Sequence, residues 1–377
     1  MKFKITETKT TKKLRSDVLN YNFNKETGFM QRWGKTLDDD PVFAPFPEIL
    51  DIEITEICNG PANKLCSFCY KSSTANPDRR NMSYETFKTI IDKMPFLTQC
   101  ALGADAHGTT NPDMFKMMHY ARSKGIIPNV TLSDVSKEVA MQVAMVAGAV
   151  AISVYKHAGF DVAYNSVKNL ADASQKQINL HFMVNSKTIK DAYQVISDLK
   201  TDPRLVNNVN AIVFLSLKQK GRGVKFDTPS MEEYTNLVNH CLDNDIRFGF
   251  DSCSAPAFLE SVKEHPNFEK FKEFTEDCES TLFSSYIAVD GSLFPCSFTE
   301  EWHEGGWGTG IDVLGASDFI KDVWFHPRVV EFRNALIANT DTLGCRNCPA
   351  FVVCSRDYRI HKDANYTNNP IDIVNVS

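Results

Sequence analysis

The sequence predicts an α/β fold, and two observations carry that expectation. From about residue 48, short apolar runs of strand length alternate with segments of helical periodicity. Repeated strand–helix units of this kind imply a parallel sheet with right-handed crossovers. Hydrophobic residues make up 43% and aromatic residues 11% of the 377-residue chain, which suffices for a sizeable core. The length exceeds one minimal domain and suits a large α/β body with a smaller appendage.

Strands are expected at 49–57, 98–103, 126–132, 149–154, 178–184, 211–217 and 246–250. Ser83 stands as an N-cap before a helix over 84–94. Pro112 opens a helical segment that ends near Gly125. Further helices are expected at 136–146, 161–173, 188–199 and 231–244. The pattern fits a barrel and an open doubly wound sheet equally. Residues 1–47 read as a polar lead-in with a hairpin over 21–30, alternating residues flanking Thr27-Gly28. After about residue 252 the rhythm stops. A helical stretch at 256–277 precedes a tight hairpin around Asp290-Gly291, and a second helix is expected at 327–338. A cysteine-rich loop at 345–354 and a polar tail follow, so the expected units are 1–47, 48–252, 253–356 and 357–377.

A net charge of −6 offers no footprint for a long polyanion, which disfavours nucleic acid as a partner. The N-terminal run MKFKITETKTTKK lacks the apolar region of a secretory signal. The longest mostly apolar stretch, 143–155, is interrupted by Gly148 and too short to span a bilayer. A cytoplasmic protein without a membrane partner is therefore expected. In that reducing setting, eleven cysteines favour metal ligation over disulfides.

The first expected strand runs into a loop bearing Cys58, Cys66 and Cys69 among Asn59, Gly60 and Pro61. Three thiolates so placed can bind three irons of a [4Fe–4S] cube and leave the fourth iron open. The alternatives are a zinc knuckle or core thiols. Three cysteines without a nearby fourth ligand make a poor closed zinc site, and core cysteines rarely cluster on such a loop.

These residues resemble the signature of the radical S-adenosylmethionine (SAM) superfamily, three cysteines spaced CxxxCxΦC with Φ aromatic. Cys66-Ser67-Phe68-Cys69 matches its second half, while seven residues rather than three separate Cys58 from Cys66. Looping out four more residues costs little, roughly 0.6 kcal/mol per doubling of loop length. The resemblance implies a partial (β/α)6 barrel with SAM at the strand carboxyl ends. SAM would chelate the open iron and be cleaved to a 5′-deoxyadenosyl radical, with Phe68 near the adenine. Gly103, Ala104 and Asp105 stand where the family's Gly-Gly-Glu-Pro element meets the methionine ammonium, with Asp in place of Glu. A strand-terminal turn is the alternative for Asp105. Ser133 and Ser153, at the third and fourth strand ends, fit either polar contacts to SAM or local caps. His181 reads as a structural histidine. The loop 218–223 reads as anion-facing or as a solvated turn.

Cys278, twelve residues, Gly291, four residues and Cys296 resemble the first half of the SPASM/twitch signature. Cys345, Cys348 and Cys354 follow as a C-x2-C-x5-C run, and Tyr358 stands where the next cysteine would come. The resemblance thus implies a small twitch-type domain with one auxiliary [4Fe–4S] cluster on Cys278, Cys296, Cys345 and Cys348, Cys354 competing. A zinc ribbon is the alternative. Cys253 has three open roles: an extra ligand, a hydrogen-atom donor to a substrate radical, or an inert thiol. Cys100 and Cys241 read as core residues.

The resemblance covers about residues 48–356. It implies hydrogen abstraction from a substrate held between barrel and appendage, with electrons from a flavodoxin- or ferredoxin-type donor. The expected substrate is a ribosomally made peptide, to be cross-linked, oxidised or epimerised. The 47-residue lead-in is short for a winged-helix leader-binding module. The second reading is a small-molecule dehydrogenase acting on an alcohol or sugar carbon. A non-catalytic iron–sulfur or zinc interaction module is the reading from another class.

Overall fold

The computed structural model describes residues 3–337 apart from Pro77, Asp277 and Glu304. Cys345, Cys348, Cys354 and the expected tail at 357–377 lie outside the described residues.

The lead-in is a folded unit. Strands β1 (Lys4–Glu7), β2 (Thr11–Arg15), β3 (Asn20–Asn24) and β4 (Met30–Trp33) form an antiparallel sheet in chain order. The expected hairpin joins β3 to β4. Leu14, Leu19, Tyr21 and Phe23 form a core of their own with Phe46, Ile127, Leu282 and Phe283. Lys12 is also buried, and its Nζ donates to Leu97 O at 2.7 Å, while Tyr21 OH donates to Phe96 O at 2.8 Å. Both acceptors precede the second strand of the large sheet, so the small sheet seals the amino ends of the large one.

The large sheet takes β5 (Ile49–Glu53), β6 (Gln99–Gly103), β7 (Ile127–Leu132), β8 (Val150–Ser153), β9 (Ile178–Val184), β10 (Ala211–Ser216) and β11 (Phe248–Phe250). These seven strands are parallel and stand side by side in chain order. The crossover helices are α1 (Tyr84–Asp92), α2 (Met114–Ser123), α3 (Lys137–Val146), α4 (Phe160–Asp172), α5 (Ile189–Thr201) and α6 (Met231–Asp243). A doubly wound sheet reverses its strand order, and this one does not. Right-handed crossovers with no reversal place the helices on one face, and α1 to α4 pack each on the next. Ser83 and Ser136 cap α1 and α3 by accepting the Thr86 and Val139 N–H groups, and Ser230 with Glu233 forms a capping box on α6. α2 starts two residues beyond Pro112, because Asn111 Oδ1 turns the chain by accepting from Asp113 N at 2.9 Å. The expected strand 49–57 ends at Glu53, where Ile54 O takes the Met82 N–H and the chain leaves the sheet.

Beyond β11 come α7 (Ala255–Ser261) and α8 (Phe268–Phe274), which divide the expected 256–277 helix around Pro266. The hairpin β12 (Ser284–Ile287) and β13 (Ser292–Phe294) is as expected, followed by β14 (Ile311–Asp312) and α9 (Pro327–Ile337). β12 pairs parallel with β5, placing Tyr286 beside Asp51, and β13 and β14 extend the edge to ten strands. Tyr286, Leu293, Trp307 and Trp324 accordingly share one core with the parallel strands. Among the described residues, no helix is long and apolar enough to cross a membrane.

Along the parallel strands, the residues facing the helices are buried and apolar. The opposite face carries Asp51, Asn129, Thr131, Asn179 and His181 beside the small residues Ala101, Gly103, Ala151 and Ala211. This open, polar face leads up to the carboxyl ends of the strands, where the first cysteine loop lies.

Candidate active site

The stretched first cysteine spacing is a built turn. Gly60 has φ +73°, and a Cβ there would stand 2.0 Å from Lys64 O, so glycine alone fits. Asn63 N donates to Gly60 O at 3.2 Å and Lys64 N to Pro61 O at 3.0 Å, closing the extra residues on themselves. Ala62 N then donates to Asp134 Oδ2 at 2.9 Å. His107 Nε2 lies 3.1 Å from Gly60 O, which needs the proton on that nitrogen, and its Nδ1 is 3.5 Å from Asp134 Oδ2. Cys58 Sγ accepts the Gly60 N–H at 3.3 Å and the Ala106 N–H as well.

The far side of the loop rests on residues 218–223. Arg222 donates its backbone N–H to Cys69 O at 3.0 Å, Nε to Cys66 O at 2.9 Å and Nη1 to Ser73 O at 3.1 Å. A Cβ on Gly221 (φ +56°) would meet Tyr70 O at 2.3 Å. This segment is a brace for the cysteine loop, a role neither sequence alternative described. Phe68 is nearly buried, ringed by Tyr155, His157 and Phe226 at centroid distances of 5.4, 6.0 and 6.2 Å.

Cys58, Cys66 and Cys69 are free and half-buried. Burial pushes the Cys58 thiol up and the Cys66 thiol up to about 12, with the other thiols adding to both and Arg222 opposing at Cys66. Among the described residues, no group of three or more His, Cys, Asp or Glu side chains is arranged to hold a metal ion. An iron–sulfur cube makes a different demand, since each thiolate takes its own iron and the three need not converge on one point. Three free thiols on a loop that supplies N–H donors suit such a group.

The other expected contacts gather at the carboxyl ends of β6, β7 and β8. Gly103 is exposed on the open face, and a Cβ there would make only ordinary contacts, the nearest 3.4 Å from Glu53 Cα. Among the described residues nothing demands glycine at that position. Ala104 is half-buried. Asp105 accepts the His107, Thr109 and Thr110 N–H groups at 3.0, 3.0 and 3.1 Å, so its carboxylate shapes the turn that carries His107. Ser153 hydrogen-bonds the Tyr155 hydroxyl. Ser133 is buried and donates its backbone N–H to Ala106 O at 2.9 Å. His181 faces the open side, where burial pushes it down to about 4 and keeps it neutral at pH 7. Cys100 and Cys241 are core residues.

Cys278 and Cys296 flank the β12–β13 hairpin, whose turn places Gly291 at φ +85°. Ser280 Oγ donates to Pro295 O at 2.6 Å and draws the outer ends together. Cys253 sits on a single helical turn, Ser252–Ser254, after β11; burial pushes the Cys278 and Cys296 thiols up, and the charge of Cys253 adds to both.

One group escaped the sequence reading. Lys71 Nζ lies 3.1 Å from Glu53 Oε1 and pairs with Glu300, while Tyr286 OH donates to Glu53 Oε2 at 2.8 Å. Burial pushes Glu53 up against the opposing pull of Lys71. The available signal was Asp51 and Glu53 on alternate positions of an otherwise apolar strand, which puts both on one face. Asp51, reachable from the open side yet ringed by protein, is pushed up to about 6.

No family model matches the chain, and no curated protein matches it in sequence. Among solved structures it is similar to SuiB of Streptococcus suis, at 14% identity and a TM-score of 0.60, covering 82% of this chain and 72% of that one. It is similar also to SuiB bound to S-adenosylmethionine, at 13% identity and a TM-score of 0.58, covering 82% and 70%. The likeness is one of fold.

Proposed function

We propose that the chain is a radical SAM enzyme. The observation that carries this reading is the Cys58/Cys66/Cys69 loop, pinned at the carboxyl end of the first parallel strand in a fold shared with a protein crystallised with SAM. When bound, the cluster and SAM supply a 5′-deoxyadenosyl radical. The three thiolates hold three irons, and the Gly60 and Ala106 N–H groups stabilise the Cys58 thiolate. Phe68 offers an aromatic flank for adenine. Gly103 and Ala104 offer backbone groups to the methionine moiety, Ser133 and Ser153 offer hydroxyls, and Asp105 keeps that loop in shape. Cys278 and Cys296, with Cys345 and Cys348 or Cys354, hold one auxiliary cluster.

The substrate in this reading is a peptide that is cross-linked, oxidised or epimerised. Its support is the breadth of the open face, where Ala101, Gly103, Ala151 and Ala211 leave room beside polar side chains. An external flavodoxin- or ferredoxin-type donor supplies the electron.

The test is anaerobic purification, reduction and measurement of 5′-deoxyadenosine released from SAM. Release should vanish when Cys58, Cys66 and Cys69 are replaced by Ala. A colourless chain with stoichiometric zinc and no iron, or release that survives the triple replacement, overturns the reading. With candidate peptides, loss of two hydrogens indicates oxidation or cross-linking, and deuterium gain from heavy water indicates epimerisation.

A further inference from the structure

Cys253 is held in place by a buried polar network. Asp251 Oδ1 accepts from Ser216 N at 3.3 Å and from Ser254 Oγ, and the Ser216 and Ser254 hydroxyls bond each other. Lys218 Nζ lies 3.1 Å from Asp251 Oδ2, and Ser254 and Lys218 are almost wholly buried. The same Nζ lies 4.8 Å from the ring centroid of Phe298. One lysine thus joins the segment two residues before Cys253 to the segment two residues after Cys296. The Ser280–Pro295 hydrogen bond brings the Cys278 end to the same place. The charges of Cys253 and Lys218 reach both Cys278 and Cys296. Three thiols from three separate stretches of chain are therefore tied through their neighbours to one buried ammonium.

We propose that Cys253 is an iron ligand of the second cluster, forming one thiolate set with Cys278 and Cys296 and taking the place of one of the two distal cysteines, with Lys218 offsetting the set's negative charge. Burying several thiolates together is costly without compensating charge, and a buried lysine beside them supplies it. A hydrogen-atom donor reacts as a neutral thiol and needs neither the two neighbouring cysteines nor the cation. This assignment rests on the iron–sulfur part of the proposed function and goes beyond its ligand set.

The experiment uses the full chain carrying Cys58→Ala, Cys66→Ala and Cys69→Ala, reconstituted anaerobically with iron and sulfide. It should retain about four irons, against about eight in the unsubstituted chain. Adding Cys253→Ala should lower that iron content or replace the reduced-cluster EPR spectrum, and Cys253→Ser should restore iron with shifted g-values. Iron content and EPR unchanged by Cys253→Ala overturn the assignment, whereas a chain with no iron in any form overturns the radical SAM reading as well. Alkylation of the unsubstituted chain gives a second readout that does not depend on a variant folding. Iodoacetamide should label Cys253 in the metal-free chain and spare it in the loaded one. Equal labelling in both overturns the assignment.

Discussion

Tyr70 donates its hydroxyl to Ser297 Oγ at 3.2 Å, so the residue after Cys69 grips the residue after Cys296. Its ring packs on Phe298 at 4.7 Å, and burial raises the hydroxyl to about 12, which keeps it a proton donor at neutral pH. The two cysteine loops, 227 residues apart at this contact, are therefore positioned against each other. The Lys71–Glu300 ion pair crosses the same junction.

Breaking that junction should be costly. Lys71 holds two mostly buried carboxylates, Glu53 and Glu300; burial lowers its own value, and the two acids outweigh this and raise it to about 12. Lys71→Met leaves both acids with the Tyr286 hydroxyl but without that cation, for an expected loss of about 3–5 kcal/mol in urea denaturation. Adding Glu300→Gln should recover part of that loss. A single substitution costing under about 1 kcal/mol would show that the pair is solvent-screened.

The first cluster should depend on the pinned turn. Gly60→Ala puts a methyl onto Lys64 O and should strip the first cluster, lowering iron content by about half. Asp134→Ala removes the acceptor of the exposed Ala62 N–H, a loss of about 0.5–1.5 kcal/mol, and should lower iron occupancy in part. Asp134→Asn keeps an acceptor oxygen and should restore it. Anaerobic iron and sulfide determination reads all three.

Gly103 separates folding from ligand binding. Its open-face position accepts a side chain without a clash, so Gly103→Val should leave the thermal midpoint within a few degrees of the parent. SAM binding by equilibrium dialysis should fall at least tenfold, because the side chain fills the space assigned to methionine. Unchanged binding would place SAM elsewhere.

Glu48 and Asp51 should favour folding in acid. Burial raises Glu48 from an ordinary 4.5 to about 7 and Asp51 from 3.8 to about 6, Arg32 opposing the shift at Glu48. A carboxyl raised in the folded state favours folding below its unfolded value, and that contribution is lost as pH rises through the folded value. His181, pushed down to about 4 by burial, acts in the opposite sense as pH falls through 6.5, so the acids are read by difference. Glu48→Gln should raise the thermal midpoint more at pH 7.5 than at pH 5.5 relative to the parent, and an equal effect at both pH values contradicts the burial of Glu48.

Much of the large sheet was legible in the sequence because the signals there are local. Apolar runs such as 178–184 bury one face whatever their neighbours do, and Ser83 or Gly291 shapes its own turn by hydrogen bonding or by positive φ. The parallel arrangement of those runs followed from the helices between them. Beyond its β3–β4 hairpin the N-terminal sheet was not legible, because β1 and β2 are rich in Lys and Thr. Lys12 is buried only because a carbonyl 85 residues away accepts its protons.

The sequence alone determined that Cys58, Cys66 and Cys69 share one loop and that Cys278 and Cys296 flank one hairpin, since short covalent connections allow little else. Only the tertiary structure decided that β12 joins the edge of β5, that His107, Asp134 and Arg222 grip the first loop, and that Lys218 joins Asp251 to Phe298. Those relationships depend on which sheet edges pair and which buried charges find partners. Such choices are made by the packed whole, and no local periodicity records them.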